Sequence, residues 1–178
     1  LQLKMEDAQY MYNRIPELQY IAPRNAKGIF GSAAPRVVRN NKSGDYSIYG
    51  DYPIFTKIAT KFIYDGGRFI NQADIDQERK VCVIGERTQS ELFEDNENPI
   101  GGYIRISDVF FQVVGVHKYV PGGGFESDSD IFIPFTTFRK LYNTGDEVSW
   151  FALAAYDDAD ILAVEEDVKT AMRSKYNV

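Results

Sequence analysis

The stretch "VCVIGERTQSELF", residues 81–93, reads as a strand, one glycine and a helix. Val81, Val83 and Ile84 are β-branched and no polar residue interrupts them, the pattern of a strand buried on both faces. Gly85 ends the run, and Glu86–Phe93 continues as helix. Many proteins hold phosphate at such a junction, because the first helical turn offers free N–H groups and positive partial charge. The neighbouring residues argue against that use here. A phosphate loop needs several glycines, so that the backbone can surround the anion, and a following Lys-Ser/Thr. Gly85 stands alone, and Glu86 places a carboxylate where the phosphate would sit. The junction is therefore read as scaffold, a tight turn that seats Leu92 and Phe93 on a sheet.

Towards the C-terminus, "EDNENPIGG" (94–102) is a loop, and "YIRISDVFFQVVGVHK" (103–118) is two strands joined at the polar turn Ser107–Asp108. Residues 121–130, with Gly122–Gly124, read as a flexible loop. Ile131–Pro134 is a short strand, Phe138–Tyr142 a short helix capped by Thr136 or Thr137, and Trp150–Tyr156 an apolar strand. Asp157, Asp158 and Asp160 then open a last helix with Ile161, Val164, Val168, Ala171 and Met172 on one face. Towards the N-terminus, residues 65–76 read as a glycine turn and an exposed acidic segment. The aromatic and β-branched run 46–64 reads as short strands, and Leu18–Pro23 as another. Met5, Ala8, Tyr12 and Ile15 recur at helical spacing until Pro16. Helices stand near both ends of a mainly β centre, which makes the fold class α+β.

The chain's 178 residues can bury a core without disulfide staples. A net charge of −6, from 20 basic and 26 acidic residues, repels phosphate backbones, so nucleic acid is not an expected partner; Arg36, Arg39 and Lys42 read as a solvated loop. The one cysteine, Cys82, lies in the apolar strand and reads as a small buried hydrophobe. The one histidine, His117, excludes paired-histidine metal sites and reads as an ordinary edge residue. No apolar run reaches the roughly 18 residues that span a membrane. The chain opens with Leu1, which is read as a piece of something longer.

Candidate chemistry is sparse. Glu126, Asp128 and Asp130 resemble part of a calcium loop, but the glycine and closing glutamate of an EF-hand are missing, so they read as solvated. No G-x-S-x-G elbow occurs. The aromatics of 46–64 leave a ligand groove open beside cross-strand packing. No catalytic, cofactor-binding or metal-binding residue is assigned, no cofactor is expected, and the chain is not expected to be an enzyme.

Residues 67–118 as a whole carry more. Gly67, Arg68 and Phe69, an acidic turn with Asp74, the strand Val81–Gly85, a helix ending in Leu92–Phe93, a turn with Pro99 and Gly101, and the hairpin with Ile104, Ile106, Phe111 and Val113–Val116 resemble the periplasmic core domain of MacB-like ABC transporter permeases. "LKMEDAQYMYNRIPELQYIAP" and "DIFIPFTTFRKLY" extend the resemblance over nearly the whole chain. Asn98 departs from the usual Asp before Pro99, and Asp108 stands where the hairpin turn often has glycine. The resemblance implies two subdomains: a mixed α/β one from 1–45 and 128–178, and a mainly β one with a helix inserted over 46–127. It implies a periplasmic domain of a bacterial inner-membrane protein that couples cytoplasmic ATP-driven motion to export. Its partners would be its own transmembrane helices, a cytoplasmic ATPase, a second permease subunit and a periplasmic adaptor. The rival expectation is a secreted or periplasmic module that binds carbohydrate or a small ligand.

Overall fold

A computed structural model describes residues 2–120 and 126–178; the loop glycines Gly122–Gly124 lie outside the described residues. In chain order the elements are β1 (Leu3–Lys4), α1 (Glu6–Arg14), β2 (Leu18–Lys27), β3 (Arg36–Arg39), β4 (Lys42–Asp45), β5 (Ile48–Asp51), α2 (Phe55–Ile58), α3 (Gln72–Asp76), β6 (Val81–Gly85), α4 (Glu86–Leu92), β7 (Tyr103–Ile106), β8 (Val109–His117), β9 (Ile131–Pro134), α5 (Phe135–Tyr142), β10 (Glu147–Val148), β11 (Trp150–Ala155) and α6 (Ile161–Tyr176). Nine strands form one mixed sheet in the order β11-β2-β5-β9-β6-β8-β7-β3-β4, and β1 pairs with β10. β5 runs parallel to β9, and β6 parallel to β8. β5 pairs with β2, and β9 with β6.

The two terminal helices share one core. Met11 and Ile15 meet Leu18 and Ile21 of β2, Val164 and Ala171 of α6, and the half-buried Val168. A second core, on one face of the central strands, holds Cys82, Ile84, Leu92, Phe93, Ile104, Phe111 and Phe138. A third, on the other face, holds Tyr49, Ile75, Val83, Phe132 and Phe135.

Several expectations need correcting. Only Ile48–Asp51 of the 46–64 run is a strand; beyond Pro53 the chain turns into α2. The run's aromatics are largely spent on packing: Tyr49 and Phe55 are buried, Tyr52 stacks on Phe135, and the Tyr46 hydroxyl donates to Glu91 at 2.9 Å. The acidic segment contains α3, where Asn71 and Asp74 form a capping box, and Asp74 is fully buried. The helix expected at Phe138 begins at Phe135, directly after Pro134. Thr136 and Thr137 do not cap it; their hydroxyls donate to the carbonyls of Ile75 and Arg79, each at 2.7 Å. His117 is buried against Phe132, not at an edge. Ile161 is exposed, so the apolar face of α6 begins at Val164.

The Ser107–Asp108 turn joins β7 to β8 with both residues at positive φ, 50° and 66°, the geometry that matches strand twist. The Asn98 side chain accepts from the Ile100 N–H at 3.1 Å. Both departures from the family pattern thus keep their turns. Gly85 has an ordinary φ of −73°, and what excludes a side chain there is space: a Cβ would lie 1.9 Å from the Asp128 carbonyl oxygen. Gly67 and Gly115 lie back to back, with a Cβ on Gly67 2.8 Å from the Gly115 Cα.

Gly85→Ala should therefore lower stability by about 1–3 kcal/mol through overpacking, read as a lower urea midpoint. Ser90→Ala, on the exposed side of α4, should stay within about 0.5 kcal/mol.

Candidate functional site

Arg24 is a charged residue in an otherwise apolar stretch of β2, and it is buried. Its guanidinium grips Asp51 of β5 through two bonds of 2.6 and 2.9 Å and reaches Glu126 at 2.7 Å. Glu126 also pairs with Lys61. Phe55 lies 3.7 Å below the guanidinium, with Tyr49 and Trp150 at 4.9 Å. Burial works against the arginine's charge, but Asp51 and Glu126 outweigh it and keep Arg24 firmly protonated. The fixed fork suits this double contact in a way lysine would not.

Glu126 leads into a tight turn. The Ser127 N–H donates to the Asp130 carboxylate at 2.7 Å, and the Asp130 carbonyl accepts from Nε2 of His117 at 2.6 Å. Burial, with the Glu126 charge added, pushes the Asp130 carboxyl up to about 6 against the Ser127 bonds. Burial, with the nearby Lys61 charge, lowers His117 below its ordinary value. The turn also closes the junction at Gly85: the Asp128 carbonyl accepts from the Arg87 N–H at 3.0 Å, at the start of α4. Glu86 turns away to accept from the Tyr64 hydroxyl at 2.5 Å and the Tyr119 N–H at 3.1 Å. The N-terminus of α4 is thus occupied by the chain itself, as scaffold requires.

A second buried carboxylate ties the chain ends. Asp7 of α1 pairs with Lys175 of α6 and accepts from the Tyr176 hydroxyl at 2.5 Å and the Lys4 N–H at 2.9 Å. Burial raises its pKa, but these donors outweigh that and hold it below the usual carboxylate range. The Tyr176 hydroxyl also lies 3.3 Å from the Gln2 carbonyl, so residues 2 and 176 are neighbours. A third, Asp74, accepts from Arg68 at 2.7 and 3.1 Å, from Arg79 at 3.3 Å and from the Asn71 N–H at 2.9 Å.

The profile of the MacB-like periplasmic core domain matches residues 2–171. The chain belongs to this family. MacB-like core domains are periplasmic parts of inner-membrane transporters, and the mixed sheet with its helices is their fold. The pyoverdine export ATP-binding/permease protein PvdT of Pseudomonas savastanoi pv. phaseolicola is 30% identical over 168 residues, covering 92% of this chain and 24% of that protein. The macrolide export ATP-binding/permease protein MacB of Syntrophobacter fumaroxidans is 32% identical over 139 residues, covering 75% of this chain and 18% of that protein. The chain therefore spans a quarter or less of these two relatives. The crystal structure of the periplasmic region of MacB from Actinobacillus actinomycetemcomitans superposes with a TM-score of 0.80 at 22% identity, over 99% of this chain and 76% of that one. The extracellular domain of the transporter YknZ from Gram-positive bacteria gives 0.81 at 14% identity, over 99% and 86%. At such identities the likeness is one of fold.

In this MacB-like core the motif residues are structural. Arg68 locks Asp74, Phe69 packs 5.7 Å from Phe132, Gly67, Gly85 and Gly115 mark close backbone approaches, and Gly101 holds a turn at φ 88°. The structure brings Glu126 and Asp130 into the buried network, not into solvent, and leaves Asp128 paired with Arg87 at the surface. Of the expected solvated cations, Arg39 instead pairs with Glu97 at 2.7 Å and lies 3.9 Å over Phe93. Sequence reading missed Arg24, Asp51 and Asp7. The one available sign was a charge inside a strand whose neighbours demand burial, which requires a partner.

Arg24→Met should cost about 3–5 kcal/mol, because it strands Asp51 as a buried unpaired charge; chemical denaturation reads this directly. Asp130 predicts a pH effect. Between the ordinary carboxylate value near 4 and about 6, folded Asp130 keeps a proton that the unfolded chain has released, so stability falls as pH rises. His117 acts oppositely just below 6.5, and Asp7 contributes stability that is lost only below about pH 4. Both cancel when the wild type is compared with Asp130→Asn. The melting temperature of Asp130→Asn should match the wild type near pH 4, exceed it increasingly up to about pH 6, and keep a constant excess above that.

Proposed function

We propose that this chain is the extracytoplasmic part of an ABC transporter permease that couples ATP-driven motion to export. The observation that carries this reading is the family match over residues 2–171, together with relatives named for pyoverdine and macrolide export. The geometry supports it. Residues 2 and 176 are neighbours, as an insertion between two successive membrane helices requires, and the Asp7–Lys175 pair makes that junction stiff. Motion delivered by one membrane helix would reach α1 and α6 together.

The division into a terminal part, 1–45 and 128–178, and an inserted part, 46–127, belongs to the same proposal. The core shared by α1, α6, β2 and β11 differs from those around β6 and β8, although Phe151 borders two of them and Ile131, Ile133 and Phe138 of the terminal part pack with Cys82 and Ile84 of the inserted part. The partners would be the protein's own membrane helices, a cytoplasmic ATPase, a second permease subunit and a periplasmic adaptor. The domain would act by moving, without catalysis of its own. The carbohydrate-module reading loses its basis, because the aromatics it needed are largely in the core.

The test is excision. In the intact permease, residues 3–175 are replaced by a flexible linker of about six residues, which easily spans neighbouring ends. ATP hydrolysis should stay within about twofold, while macrolide tolerance and siderophore release, the first cargoes to assay, should fall to the level of a permease deletion. Export unchanged by the excision would overturn the proposal. Loss of ATP hydrolysis would overturn its mechanical part.

A further inference from the structure

β11 is an edge of the nine-stranded sheet, and among the described residues no strand pairs with its outer side. Its register sets Phe151 opposite Pro23 and Leu153 opposite Ile21. Proline has no N–H, and the Ile21 N–H goes to the Tyr12 hydroxyl at 2.8 Å. Antiparallel strands alternate residues that exchange both bonds with residues that turn both groups away. Phe151 and Leu153 are thus the residues whose N–H and C=O groups face outward.

Natural sheets protect such edges with short strands, charge or proline. The opposite edge, β4, is protected in this way: its four residues are Lys-Ser-Gly-Asp. β11 has six residues, Trp-Phe-Ala-Leu-Ala-Ala, with no charge and no proline. A bulge at Ala154/Ala155 interrupts only its far end.

A cavity of about 530 Å³ lies along this edge. Ala152 and Leu153 both line it, and consecutive strand residues point to opposite faces, so it abuts the edge itself. Phe62, Tyr119 and Val120 also line it, exposed by 55, 48 and 38%. The buried Arg24 and the half-buried Lys61 and Glu126 also line it, but they pair among themselves and with Asp51; the exposed Lys118 lines it as well.

We propose that this edge is a strand-addition site that takes one extended, uncharged segment of a partner protein. The segment's main chain pairs with Phe151 and Leu153, and its alternate side chains fill the cavity against Phe62 and Tyr119. Outward main-chain groups are complementary to another main chain, which would lie about 4.8 Å from β11. A second copy would have to bring its own β2 together with its β11, a bulkier occupant than a single segment. The proposal stands independently of the transport reading.

Trp150 is the chain's one tryptophan and lines the same cavity, so its fluorescence reports occupancy. The probe is an acetylated, amidated peptide, Lys-Thr-Val-Thr-Val-Thr-Val-Thr-Lys, titrated into the chain. The expected result is a saturable response below millimolar concentration, at least tenfold weaker for the same peptide N-methylated at alternate amides. Leu153→Pro removes one outward donor without touching the β2 ladder, as edge positions allow. It should abolish the response while the chain still unfolds cooperatively. Should that variant fail to fold, the methylated pair decides alone. No saturable response, or equal responses to both peptides, overturns the proposal. So does a concentration-dependent dimer in sedimentation that Leu153→Pro dissolves, since that gives the edge to a second copy.

Discussion

There is no room for a methyl group between Gly85 and the carbonyl of Asp128, and much of the molecule is arranged around that contact. It brings the segment 126–130 onto the end of β6 and the first turn of α4. From there Glu126 reaches Arg24 and Lys61, and the Asp130 carbonyl meets His117. The chain then enters β9, whose four buried residues pair with β5 on one side, and whose Ile131 and Phe132 pair with β6 on the other. A side chain at position 85 would push this segment away and loosen the ionic centre and the middle of the sheet together.

Three carboxylates, Asp7, Asp51 and Asp74, are withdrawn from water, and each is matched by basic groups. Such pairs return little net stability, because desolvation offsets the attraction, but breaking one is costly. Their value here is positional. Asp51 with Arg24 fixes β5 against β2. Asp74 with Arg68 and Arg79 fixes the approach to β6. Asp7 with Lys175 fixes the first helix to the last. The proposed transport role would draw on connections of this kind, since charge-assisted bonds are directed and short.

The outline of the fold was legible in the sequence. The β-branched run at Val81–Ile84, the hairpin turn at Ser107–Asp108 and the terminal helices follow from local periodicity and turn chemistry, and the structure contains each of them. The family pattern was also readable, because its glycines and apolar positions recur at fixed spacing. Misreadings fell where tertiary contacts overrule composition. Asp74, Glu126 and Asp130 look solvated as letters, because acidic residues near glycine and serine usually are. His117 does end β8 but looks like an ordinary edge residue, because nothing local shows that Phe132 will cover it.

By itself, then, the sequence determined most of the element types outside 36–76, most of their order and membership of the family, since these rest on interactions between residues close along the chain or on a spaced pattern of small and apolar groups. The tertiary structure alone decided which charges are buried, which aromatics are core and which edge of the sheet is open. Arg24 and Glu126 are 102 residues apart, and Asp7 and Tyr176 are 169 apart. No local propensity encodes such pairs: a buried charge is tolerated only once folding has delivered its partner, and that partner is set by the path of the whole chain.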